Sequence, residues 1–176
     1  MGPRSMKFVR LCPYAASLAA ALALGGCFHP LYGTLADGGA GVQSELEAIA
    51  VDPIPDRIGH YLGDELIFRL NGTANQITPK YHLLVTTSEG TSTALVDTLE
   101  ASATAATLTT TATYRLMPAA GGAPIAYGTV TSTASYDRFQ QRYTNIRASK
   151  NAEIRNAGVL ADLIKTRLAA ALVPKT

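Results

Sequence analysis

The chain has 176 residues, 47% of them hydrophobic and 16% charged, with a formal net charge of +2, three histidines and two cysteines. Two cysteines give no disulfide framework. Basic and aromatic residues do not interleave as a nucleic-acid surface needs, so no nucleic-acid partner is expected.

The first element in chain order is a targeting segment. Arg4, Lys7 and Arg10 precede any acid, and the uncharged run Leu11 to Leu24 follows. At ~1.5 Å per residue such a helix spans only about 21 Å, short of the roughly 20 apolar residues of a membrane span. Pro13 also opposes a long helix. Basic start and short apolar run read as a signal peptide over residues 1–26.

Leu24-Gly25-Gly26-Cys27 ends that run with two small residues and a cysteine. It resembles the lipobox of bacterial lipoproteins. The resemblance implies a diacylglycerol on the Cys27 thiol, cleavage before Cys27 and acylation of the new amine. Several acyl chains anchor stably where one is marginal. In such lipoproteins an aspartate after the cysteine often causes inner-membrane retention. Phe28 in that place points to the outer membrane. Cys12 leaves with the signal and Cys27 carries lipid, so the mature chain is expected to hold neither a free thiol nor a disulfide.

Residues 27–45 are read as the lipidated N-terminus and a flexible, Gly-rich tether. Residues 46–176 are the size of a single domain. Their charge is split, with acids dominating up to residue 100 and bases after it. Such a split can be a folded dipole, a docking surface or an accident of composition.

The alternation in Leu46 to Ile54 predicts a first strand, ended by Pro53. Asp56 is placed to cap a helix to about Leu70, with Ile58, Tyr61, Leu62, Leu66 and Leu70 on one stripe. Glu65 and Arg69 form an i,i+4 pair in it, and Asn71-Gly72 stops it. Three strands are predicted next, over Tyr81 to Thr87, Ala106 to Met117 and Ile125 to Arg138. The middle one alternates for about twelve residues, with Thr107, Thr109, Thr111, Thr113 and Arg115 on the wetter side. A second helix is predicted over Asn145 to Leu172, burying Ile154, Ala157, Ala161, Ile164, Leu168 and Leu172. The order β-α-β-β-β-α predicts an α+β fold, two helices packed on one face of a four-stranded, mainly antiparallel sheet.

Catalytic chemistry is hard to find. His29, His60 and His82 are scattered, and a zinc site needs several ligands at workable spacing. His60 and Asp64 stand at i,i+4, as surface helix residues also do. There is no Gly-x-Ser-x-Gly elbow, and Gly38, Gly39 and Gly41 do not sit between a strand and a helix as a phosphate loop requires. The chain is expected to be no enzyme, to hold no metal and to carry no cofactor beyond the covalent lipid on Cys27. The basic group Arg138, Arg142, Arg147 and Lys150 lies between the last strand and the last helix. It reads either as a solvated connector or as a phosphate-binding set.

Cys27-Phe28-His29-Pro30-Leu31-Tyr32-Gly33 resembles the opening of the lipopolysaccharide (LPS)-assembly lipoprotein family, LptE (RlpB). That family often has a glycine between the cysteine and the aromatic residue, whereas Phe28 follows directly here. RIGHYLGDELIFRLNG resembles the family's first helix, and YTNIRASKNAEIRNAGVLADLIKTRLAAAL its last. The resemblance implies an outer-membrane lipoprotein on the periplasmic side. It would act as plug and assembly partner of the LptD β-barrel, deliver LPS to the cell surface and bind LPS itself. A barrel of that size has a polar lumen, which a threonine-covered sheet would suit. Arg115, Arg138 and Arg142 are the candidate contacts with the barrel wall or with lipid A phosphates. Two other readings remain: an auxiliary lipoprotein subunit of another envelope lipid-transport or secretion complex, and a lipid-tethered periplasmic hydrolase.

Overall fold

The computed structural model describes residues 41–72, 78–94 and 105–173, all within the unit Thr34–Thr176. The signal segment, Cys27 and the tether up to residue 40 lie outside them. The elements are α1 (Val42–Glu47), β1 (Ile49–Val51), α2 (Asp56–Asn71), β2 (Tyr81–Ala94), β3 (Ala105–Pro118), β4 (Ala126–Asp137) and α3 (Arg142–Leu172).

The start of the fold corrects the expected strand over Leu46 to Ile54. Residues 42–47 form a helix, and only Ile49–Val51 is extended. Val42 and Leu46 are both buried. They stand four apart, on one face of a helix, and that spacing overrides the alternation of Leu46, Ala48 and Ala50. Ser44 helps to start the turn, its N–H and its hydroxyl both donating to Gly41 O at 2.9 and 2.8 Å. The helix thus begins inside the stretch read as tether.

Of the expected stripe in α2, Ile58, Leu62, Leu66 and Leu70 are buried and Tyr61 is half-buried against the core. Asp56, however, makes no capping hydrogen bond. Pro55 occupies the cap, and Asp56 is the first helical residue, at φ 69°, a region that Asp tolerates better than most side chains. Gly72, at φ 65°, closes the helix, its N–H donating to Phe68 O at 3.0 Å. Glu65 and Arg69 are paired at 3.0 Å.

The sheet order is β1-β2-β3-β4. β1 lies parallel to β2 over Ile49↔Tyr81 to Val51↔Leu83, and the other two ladders are antiparallel. β2 runs past the expected Thr87 to Ala94. Its far half, Ser88 to Ala94, has no hydrophobic alternation, and its pairing with Thr111 to Ala105 of β3 supplies the strand. β3 buries Ala106, Leu108, Thr110, Ala112, Tyr114 and Leu116, the face read from the sequence.

Both long helices cover this face. α3 starts at Arg142, ahead of the expected Asn145, and at ~1.5 Å per residue it is about 47 Å long. Of its expected buried face, Ala157, Ala161, Ile164 and Leu168 are fully buried and Leu172 is half-buried, but Ile154 is not inside. Ile154 is 41% exposed, while Glu153, Asn156 and Leu160 are buried. Ile154 is in line with Ala157 and Ala161, but at this level of α3 the buried arc has turned toward Ala152, Glu153 and Asn156. Ile154 stands about 100° from Glu153, on the exposed side. Glu153 takes the inner place because it has an arginine to meet there.

The main core joins α1, α2 and the C-terminal half of α3 to the proximal sheet. A second small cluster, Leu108, Ala134 and Ala152 with Tyr136 against it, sits further along the sheet. Thr110, Ser132 and Asn156 separate the two.

Candidate functional site

Where the main core ends, four elements meet in a polar layer. Asn156 is at its centre, buried on α3. Its amide donates to Leu108 O and to Thr110 Oγ1, both at 3.1 Å. Its carbonyl accepts from Ser132 Oγ at 2.9 Å. Thr110 Oγ1 then donates to Glu89 Oε1 of β2 at 3.3 Å. Every side-chain polar atom of Asn156 has a partner, as burial demands.

One turn earlier on α3, Glu153 is 2% exposed. Arg57, in the first turn of α2, grips it with a two-bond fork. Nε donates to Oε2 at 2.8 Å, and Nη2 donates to Oε1. The fork matches guanidinium to carboxylate, the geometry that makes Arg pairs strong. It holds the arginine's proton more tightly, through the hydrogen bond and the charge of Glu153. Glu89 lies near the same pair. Partial burial raises its pKa and the Glu153 charge raises it further, against the hydrogen bond from Thr110 and the charge of Arg57.

Beyond this layer the distal sheet, the start of α2 and the first two turns of α3 border a cleft of about 460 Å³. Thr91, Thr93 and Tyr136 form its floor, Arg57 one wall, and Arg142, Asn145, Ile146 and Ser149 of α3 the other, with Arg138 at the rim. The connector that carries Arg138 is tied down. Asn145 accepts from Phe139 N–H at 2.7 Å and donates to Phe139 O at 2.6 Å. Thr144 Oγ1 donates to Gln141 Oε1 at 3.2 Å. These bonds fix the turn between β4 and α3, so Arg138 and Arg142 are presented by a set backbone. Neither has an ion-pair partner among the described residues.

The three arginines named from the sequence thus separate. Arg138 and Arg142 share the cleft. Arg115 stands on the opposite face of the sheet, opposite Leu84 and Tyr127, and roughly 35 Å along the strands from Arg138 at ~3.3 Å per residue. Arg147 and Lys150 are elsewhere on α3, stacked over the rings of Tyr143 at 5.6 Å and Tyr61 at 5.8 Å. The arginine that sequence reading missed is Arg57. It lies 96 residues from its partner Glu153, so no local pattern could join them.

The outer sheet face is a field of hydroxyls. Thr107 meets Ser135 at 3.0 Å, Thr111 meets Thr131 at 3.2 Å and Thr113 meets Thr129 at 3.2 Å. His60 and Asp64 are exposed, with Nε2 and Oδ2 3.6 Å apart. Among the described residues no group of three His, Cys, Asp or Glu side chains could hold a metal, and no helix is long and apolar enough to cross a membrane.

The fold has solved counterparts. It is similar to a Caulobacter crescentus CB15 protein that carries a provisional lipoprotein name, with TM-score 0.64 and 24% identity over 76% of this chain and 97% of that one. It is similar to a minor lipoprotein of Acinetobacter baumannii, with TM-score 0.52 and 18% identity over 73% of this chain and 94% of that one. Rare lipoprotein B of Shewanella oneidensis aligns at TM-score 0.49 and 15% identity, over 71% of this chain and 94% of that one. The first two define the class: an α+β body of the kind these bacterial lipoproteins carry. No protein-family model matches the sequence, nor does any curated protein.

Proposed function

We propose that this chain is an outer-membrane lipoprotein, acylated at Cys27, that acts as plug and assembly partner of an LptD-type β-barrel in LPS transport. It acts by fitting and binding, without catalysis and with no cofactor beyond its own lipid. The opening motif at residues 27–33 and a fold shared with bacterial lipoproteins support the reading. The hydroxyl-covered outer face, which carries Arg115, suits a polar barrel lumen.

The observation that carries the ligand is the cleft. Arg138 and Arg142 stand beside Tyr136 and Ile146, so guanidinium forks for phosphate border apolar surface for the root of an acyl chain. Lipid A has both chemistries. Charge reversal by Arg138→Glu with Arg142→Glu should weaken LPS binding by at least ~10-fold, read as retention of purified LPS on the immobilised full chain in detergent. Arg115→Glu, on the other face, should leave that binding unchanged. Equal binding by the double variant and the wild type removes the cleft as the LPS site.

A further inference from the structure

β4 is an edge strand of the sheet. It is 12 residues long, and its sequence AYGTVTSTASYD has no proline, no lysine and a single acid at its end. Those are the usual means by which a natural edge avoids pairing with another chain, so this one needs a different device.

Two of its carbonyls are already occupied. Arg155 Nη2 donates to Ser135 O at 2.9 Å, and Arg167 Nη1 donates to Thr129 O at 2.8 Å. Both arginines come from α3, which runs back antiparallel to β4. The two spacings agree: the stretch from Thr129 to Ser135 covers roughly 20 Å of strand, and that from Arg155 to Arg167 covers about 18 Å of helix. Asn151 Oδ1 accepts a further bond from Arg155 and steadies it. Bonds from a charged donor are stronger than neutral ones, so an incoming strand cannot displace them cheaply. Strand alternation turns the N–H and C=O groups of Thr131 and Thr133 to the same side, where no bond to them exists among the described residues.

The edge is self-complementary. Two copies laid antiparallel about Ser132 would set Thr129 opposite Ser135 and Thr131 opposite Thr133. Hydroxyl pairs of this kind already form between β3 and β4, as Thr107 with Ser135 and Thr111 with Thr131. In that register the two capped carbonyls of each copy would face one another inside the new ladder, so all four arginine bonds would have to break.

We infer that Arg155 and Arg167 are edge guards that close β4 against strand pairing with a second copy of this chain. Neither residue lines the arginine cleft, so the inference stands or falls apart from LPS binding.

The test is sedimentation equilibrium of the full chain in density-matched detergent, with far-UV circular dichroism to check folding. The wild type should be monomeric. Arg155→Met with Arg167→Met keeps the apolar stems but removes the donors, and self-association should tighten at least ~10-fold. Adding Thr131→Pro should restore the monomer, because it deletes an outward N–H and spares the ladder to β3. If the double variant does not fold, Arg167→Met alone opens the Thr129 end and should give a weaker dimer that the same proline abolishes. A folded variant that stays monomeric overturns the inference. So does an association that Thr131→Pro does not reverse, or a wild type already paired through β4.

Discussion

Arg57 and Glu153 are joined across the helix pair by a two-bond fork whose ends differ: the arginine side chain is 64% exposed and the glutamate side chain 3%. The glutamate has therefore given up water for a single partner. Arg57→Ala should leave a buried carboxylate unpaired and cost about 1–3 kcal/mol, below the figure for a wholly buried pair because the arginine end is wet. Adding Glu153→Gln should recover part of that loss. Urea midpoints of the wild type, the two single variants and the double variant check it, with additivity of the two single changes as the contrary result.

Glu89 lies by the same fork and carries the opposite lesson. Its carboxyl is pushed above its ordinary value of 4.5, first by burial and then by the Glu153 charge. The folded chain therefore holds the Glu89 proton more tightly than the unfolded chain. The stabilisation is fully present below the unfolded value and is lost as pH rises through the folded one. Glu89→Gln should remove this dependence and raise stability at neutral pH. Urea unfolding of wild type and variant across acid to neutral pH measures both, and parallel profiles would refute it.

Two glycines of α2 make a paired prediction. A Cβ at Gly59 would sit 2.7 Å from Ile54 Cγ2 and 2.8 Å from Ile54 O, and backbone cannot retreat as a side chain can. Gly59→Ala should cost about 1–3 kcal/mol. At Gly63 the nearest atom would be Ile54 Cδ1 at 3.9 Å, an ordinary contact. Gly63→Ala should stabilise by about 0.5–1 kcal/mol, the usual helical preference. Thermal melts of the two variants should move in opposite directions.

Much of this architecture could be read before any coordinates. The twelve-residue alternation of β3 gave both its span and its buried face, and the stripe Ile58, Leu62, Leu66, Leu70 gave α2. Both are local signals that repeat over several turns or pleats. The failures came where a partner distant in sequence decided the outcome. Glu153 is inside in place of Ile154 because Arg57 waits for it. The far half of β2 is a strand because β3 pairs with it. α1 is too short for a stripe, and its only signal was the pair Val42 and Leu46. For the cleft, Arg138 and Arg142 were legible as neighbours flanking one turn, whereas Arg57 is brought in by the packing of α2 on α3. Arg115 was read on the threonine-covered face of β3, and it stands there, away from the cleft that Arg138 and Arg142 share.

The central claim is that this chain works by seating against a barrel. It is tested most directly by capturing the tagged, acylated full chain from detergent-solubilised envelopes and quantifying what comes with it by mass spectrometry. The account predicts one dominant companion, a large outer-membrane β-barrel of the LptD type, recovered in near-equal amount. Recovery of an inner-membrane ATPase complex in its place, or of the chain by itself, would contradict it.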